Sequence, residues 1–200
     1  HSCSKKGNAY QFAVSMNHHK PSHQWICDTS KQPLYPKKER NTTKIDLWNN
    51  AEEYQKNLSV DWIKESKRAM GMLVGEDKQG RLTFPYFDED GEVVGIKHHK
   101  GKNGKSPYWE GDGSGKWYGM QLLEGFDRNK PLYLCEGETD CLWMLSLGHQ
   151  ATTGSAGAGS IPKDLSPIAG FIEYIIIYDN DTAGNEGAEK LAERIVIKFG

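Results

Sequence analysis

Four carboxylates stand where they are able to do chemistry together. Glu136 ends the short apolar run Leu132-Tyr133-Leu134-Cys135, with Gly137 opening a turn and Asp140 one helical turn further on. Asp179 and Asp181 follow the apolar run Tyr174 to Tyr178 as Asp179-Asn180-Asp181, with Gly184 just before a helical stretch. In a parallel α/β sheet, ligands collect beyond the carboxyl ends of the strands. If the two runs are neighbouring strands, Glu136, Asp179 and Asp181 converge on one point, and in extended backbone Asp179 and Asp181 point the same way. Crowded carboxylates repel unless a cation shares them. A donor set of oxygen alone selects a hard ion, Mg2+ or Mn2+. Such an ion orients phosphates, neutralises the charge that develops on them and acidifies an attacking hydroxyl. Glu136 is alternatively a general base or acid. Either cluster alone is also served by capping a helix. The pair, each at a strand end and each followed by Gly and a helix, points to the metal.

The surrounding sequence supplies the scaffold. Residues 139–147 carry helical spacing that stops at Gly148, and Gln150 to Thr153 reads as a second strand, followed by a loop of small residues. Tyr174 to Tyr178 is wholly apolar, as a central parallel strand is. Ala188, Leu191, Ala192, Ile195, Val196 and Phe199 fall on one helical face. Strand, helix, strand, loop, strand and helix predict a parallel sheet with right-handed crossovers. Upstream, residues 46–73 are patterned as helices, with Ser59 as the expected cap of the second. Residues 81–99 form the clearest hairpin, turning at Asp88-Glu89-Asp90-Gly91, with Pro85 marking an edge or a bulge. The basic segment from Lys97 to Lys105 follows, then Trp109, Trp117 and Tyr118. The tryptophans are expected either to stack on bases or to be core. Residues 17–45 read as loop or linker.

Net charge is −2 but divided. Residues 1–120 hold 19 Lys and Arg against 15 Asp and Glu, and residues 121–200 hold 6 against 12. A basic half beside an acidic half suits metal-dependent phosphate chemistry. At 36% hydrophobic and 26% charged residues, the composition is that of a globular protein. No apolar run approaches the roughly 20 residues of a spanning helix, so no membrane partner is expected. The polar, Lys-rich first residues do not read as a secretory signal, and the four cysteines show no disulfide framework. A cytoplasmic location is expected.

The two acidic motifs resemble the toprim family, which includes bacterial primases, topoisomerases, OLD-type nucleases and RecR-like proteins. Leu134-Cys135-Glu136-Gly137-Glu138-Thr139-Asp140 is similar to its first motif, and Asp179-Asn180-Asp181-Thr182-Ala183-Gly184 to its second. The stretch from Arg81 to Gly91 looks like the hairpin that precedes toprim in primase polymerase domains, and Gly115 to Gly119 like the lead into it. His1 to Ala9 resembles the end of a primase zinc ribbon, with Cys3 as its last ligand or as an ordinary thiol. The resemblance implies an α/β toprim fold, a parallel sheet flanked by helices, preceded by a smaller α+β subdomain with a β-hairpin. Residues 1–22 would be the ribbon remnant and linker start, 45–127 the subdomain and 128–200 a truncated toprim domain. It implies synthesis of short RNA primers from ribonucleoside triphosphates on a single-stranded DNA template, with a replicative helicase fused or separate. Glu136, Asp179 and Asp181 would be catalytic, the same three with Asp140 would hold Mg2+ or Mn2+, and Zn2+ would belong to the full-length parent. Lys97, Lys100, Lys105 and Lys116 are candidates for triphosphate or template contacts, or else form a solvated basic loop. Further acidic ligands of the family lie beyond the position of Gly200, so the chain is expected to be a fragment. A toprim nuclease and a non-catalytic nucleic-acid-binding module of a helicase are the alternatives.

Overall fold

A computed structural model of the chain describes residues 42–99, 107–159 and 161–200. The proposed ribbon remnant, Cys3, Lys100 and Lys105 lie outside them.

Strand polarity divides the sheets. The first sheet joins β1 (Gly75–Glu76), β2 (Leu82–Phe87), β3 (Val93–His98) and β4 (Tyr108–Gly111) in that order, with every neighbouring pair antiparallel. The expected hairpin is β2–β3. Pro85 pairs with Ile96, and the register slips between Tyr86 and Phe87, the bulge that Pro85 foretold. Since β1 reaches only Leu82 and Thr83, the missing proline N–H leaves no ladder bond unmade there.

Both faces of this sheet are covered. Phe87, Val93 and Ile96 pack under α1 (Thr42–Asn57) with Leu47 and Ala51. The helix lies so close that a Cβ on Gly75 would stand 2.3 Å from the Tyr54 carbonyl carbon. Phe84 and Tyr86, on the opposite face, enter a core with Tyr118, Cys141, Leu142 and Leu145. Two short helices, α2 (Asp61–Glu65) and α3 (Lys67–Gly71), close that side with Ile63 and Ala69. The cap expected at Ser59 is not made. Val60 begins α2 without a side-chain cap, while Ser59 donates to Glu76. Ser66 is the residue that caps, accepting from Ala69 N at 3.2 Å.

After the one-turn α4 (Met120–Leu123), the chain builds the parallel sheet from β5 (Leu132–Cys135), α5 (Glu138–Ser146), β6 (Ala151–Thr153), β7 (Tyr174–Ile177) and α6 (Thr182–Phe199). Its order is β6-β5-β7, both pairings parallel. The strand expected to be central is therefore at the edge among the described strands, and every residue of β7 is only half-buried. Tyr174 and Ile176 pack toward α6 with Leu191 and Ile195, while Ile177 packs against the core of Cys141 and Leu142. The α6 stripe is also shifted: Gly184, Gly187, Leu191 and Ile195 are buried, while Val196 and its neighbour Ile197 are 64% and 85% exposed. The sheets are stitched together by Tyr118, whose N–H donates to Thr153 O at 2.8 Å and whose carbonyl accepts from Thr152 Oγ1 at 2.7 Å. No helix among the described residues is long and apolar enough to cross a membrane.

Candidate active site

The acidic motifs lie side by side because β5 and β7 pair directly, with Cys135 opposite Ile177. One residue past that pair, Glu136 N donates to Ile177 O at 3.2 Å, continuing the ladder. The Glu136 carboxylate then crosses to the neighbouring strand end, where Oε2 accepts from Asp179 N at 2.7 Å. That bond fixes the separation of the two motifs.

Beyond β7 the backbone does not stay extended. Asp181 N donates to Asp179 O at 2.9 Å, a tight turn centred on Asn180. Asp179 and Asp181 are therefore joined by a turn, not by the extended run expected. Asp181 is the N-cap of α6, its Oδ1 accepting from Gly184 N at 2.8 Å. Asp179 and Asp181 are exposed and Glu136 is half-buried. Asp140 sits in the first turn of α5, with Oδ2 within 3.7 Å of a Cβ built on Gly137.

The donors are all carboxylate oxygens, the chemistry that suits a hard divalent cation. Among the described residues no three His, Cys, Asp or Glu side chains are gathered at metal-binding distance. Glu136 and Asp181 are instead engaged with backbone N–H groups. The neighbourhood is electronegative. Burial and the nearby Glu136 push the Tyr178 hydroxyl up to about 12. Burial and the neighbouring Cys135 push the Cys141 thiol well above its usual range, so Cys141 stays protonated beneath the turn.

Residues 133–198 match a family model described as Toprim-like. The DNA primase of Chlamydia pneumoniae is 25% identical over 132 residues, which amount to 56% of this chain and 21% of that protein. The chain thus spans about a fifth of that curated relative. Among solved structures, the Aquifex aeolicus primase, with zinc-binding and RNA polymerase domains, is similar with a TM-score of 0.60 at 15% identity, covering 74% of this chain and 50% of that one. A DnaG catalytic core is similar with a TM-score of 0.58 at 16% identity, covering 77% and 67%. The α/β fold, a parallel sheet flanked by helices beside an antiparallel hairpin sheet, is that of these primase cores.

The parallel-sheet unit contains two residues whose part is not evident from the acidic motifs. Gly184 lies against the Asp179 turn, and a Cβ there would stand 2.1 Å from Asp179 O. Only glycine lets the helix start so close beneath the acids. Glu138, in the first turn of α5, is 2% exposed and accepts from Lys97 Nζ at 2.6 Å and Tyr86 OH at 2.7 Å. Lys97 is therefore no part of a solvated loop: it lies in β3, 8% exposed. Of the other basic candidates, Lys116 is half-buried in the segment leading to Trp117. Trp117 is core, 3% exposed, with Nε1 donating to Asp164 O at 2.8 Å. Trp109 packs edge-on to Tyr86 at 4.9 Å.

Proposed function

We propose that the chain is the catalytic part of a DNA primase, joining ribonucleoside triphosphates on a single-stranded DNA template in the cytoplasm. The observation that carries this reading is the bond from Asp179 N–H to Glu136, which holds two acidic motifs at adjacent ends of parallel strands. The Toprim-like match and the likeness to the Chlamydia pneumoniae DNA primase support the substrate class.

Glu136, Asp179 and Asp181, with Asp140 beside them, would hold Mg2+ or Mn2+. When bound, such an ion neutralises phosphate charge and lowers the pKa of an attacking hydroxyl. In the reaction, a ribose 3′-hydroxyl oxygen bonds to the α-phosphorus of the next nucleotide while the bond to pyrophosphate breaks. Glu136, at the junction of the strand ends, would alternatively be the base that accepts the hydroxyl proton. Lys116, together with Lys100 and Lys105 of the basic segment, supplies positive charge for triphosphate or template. A replicative helicase, fused or separate, is the partner that this activity serves.

The test is incorporation of labelled ribonucleotides on single-stranded DNA by the full-length protein with Mg2+ or Mn2+, beside an Asp179→Asn variant. Short RNA products that vanish in the variant are expected. Products made equally well by Asp179→Asn would remove the acidic site from the mechanism. Metal-dependent cleavage of the template in their place would establish a nuclease, and DNA binding without either activity a binding module.

A further inference from the structure

We propose that Lys97 and Tyr86, through Glu138, form a positioning anchor that sets the turn carrying Glu136, so that the antiparallel sheet controls metal affinity at the parallel one. The inference rests on the metal-dependent reading of the acidic site.

Phe84 pairs with Lys97 and Tyr86 with Gly95 across β2 and β3, which puts Phe84, Tyr86 and Lys97 on one face of the sheet. That face looks onto α5. Lys97 Nζ and Tyr86 OH both end on one oxygen, Glu138 Oε1, at 2.6 and 2.7 Å. The carboxylate is 2% exposed and the lysine 8%. A charge pair so deprived of water tolerates little displacement, because either ion alone is costly to bury. Burial and the Glu138 charge also drive the Tyr86 hydroxyl well above its usual range, so it remains a donor.

The anchor sits two residues from Glu136. Between them, Gly137 begins α5 with no side-chain cap. Lacking a cap, the turn is held from its two ends. On one side Glu136 is tied to β7 through Ile177 O and Asp179 N. On the other, Glu138 is tied to β2 and β3. Removing the second tie leaves the first turn of α5 held only from the Glu136 end, where Thr153 Oγ1 also donates to Glu136 O at 3.1 Å, while β5 and β7 stay paired. Lys97 is therefore a positioning residue; it touches neither substrate nor metal.

The experiment separates position from stability. In the full-length protein, Lys97→Met leaves Glu138 buried without its cation and lowers the thermal midpoint. The double variant Lys97→Met, Glu138→Met removes both charges and is expected to regain most of that midpoint, as buried pairs replaced by apolar groups do. Mn2+ affinity, read by titration, should fall roughly tenfold or more in both variants, the range seen when groups that orient a metal ligand are lost, and Lys97→Arg should restore most of it. A double variant that binds Mn2+ as the parent does would overturn the anchor, whatever its stability. If the unmodified protein binds no Mn2+, or binds it undiminished by Asp179→Asn, the metal reading falls and the anchor with it. Binding that depends on Asp179 but ignores the double replacement sinks the anchor alone.

Discussion

Two groups of carboxylates in this molecule have opposite surroundings. In the antiparallel sheet, Asp77 and Glu110 flank His98, whose Nδ1 lies 2.8 Å from Asp77 and Nε2 2.6 Å from Glu110. Arg81 Nε joins Asp77 at 2.7 Å, and Tyr54 OH and Asn50 Nδ2 donate to Glu110 at 2.7 and 3.0 Å. His98 is fully buried, stacked on Tyr108 at 4.0 Å, and Arg81 lies over the same ring at 4.4 Å. Each of these acids has its positive or donating partner within the fold. At the ends of β5 and β7, Glu136 and Asp181 are met by backbone N–H groups instead, and Asp179 faces solvent. The first group is complete as it stands; the second has negative charge left over. On the proposed reading, that remaining charge is what an external cation would share.

The sharpest way to break this comparison is to neutralise one acid from each group. Glu136→Gln keeps an oxygen to accept from Asp179 N–H but loses the charge. It should leave thermal unfolding nearly unchanged while primer synthesis falls roughly 10²–10⁴-fold, the range for a lost acid–base group. Wild-type synthesis by that variant would end the assigned role. Asp77→Ala should do the reverse. It strands the Arg81 guanidinium and the His98 ring inside the sheet, a loss of about 3–5 kcal/mol expected for breaking a buried pair. Urea unfolding measures it. A variant as stable as its parent would show that the network is decoration.

The two groups also differ in how far they were legible in sequence. The parallel unit announces itself locally: apolar runs, glycine punctuation and acids directly after each run. Its errors came from what local pattern does not contain. The Tyr174 run reads as buried whether it is central or, as here, beside only β5 among the described strands. The turn at Asn180, closed by the Asp181 N–H on Asp179 O, and the capping of α6 by Asp181 depend on where the helix starts, which the Asp-x-Asp spacing does not contain. The network of Asp77, Arg81, His98 and Glu110 was not visible, because Asp77 and Arg81 are four residues apart but only strand order brings His98 and Glu110 to them. The Lys97 bond to Glu138 spans 41 positions and joins a strand of the antiparallel sheet to helix α5, and a charged residue near the end of a hairpin strand reads equally well as solvated. One signal was available. A strand with both faces covered has no solvated side, so any charge within it needs a partner.

Gly184 sharpens the contrast at smaller scale. Alanine there would set Cβ 2.1 Å from Asp179 O, so the turn must lift off the start of α6. Overpacking of this kind costs about 1–3 kcal/mol, and the better helix propensity of alanine returns about 1 kcal/mol. The net loss in stability is therefore about 0–2 kcal/mol. Mn2+ affinity should nevertheless drop about tenfold, since Asp179 moves with the turn. A Gly184→Ala variant with unaltered Mn2+ binding would mean that the position of Asp179 is not what the glycine protects.

The mildest effect is in acid. Burial alone would raise the Asp77 carboxyl, but bonds from the Arg81 N–H, from His98, from the Arg81 side chain and from the Gln79 N–H outweigh it and bring it from the usual 3.8 down to about 2. Glu110 is lowered too, chiefly by His98, against burial and with help from Tyr54 and Asn50. A carboxyl depressed by folding adds stability above its unfolded pKa and loses it as the pH falls toward the folded value. The window for Asp77 is therefore about pH 4 to 2. Stability measured across it should decline in the parent and decline less steeply in Asp77→Asn, which binds no proton there. Parallel curves would mean that the acids gain nothing from His98 and Arg81 on folding. The two groups would then differ in burial, and the claim that one is electrostatically complete would fall.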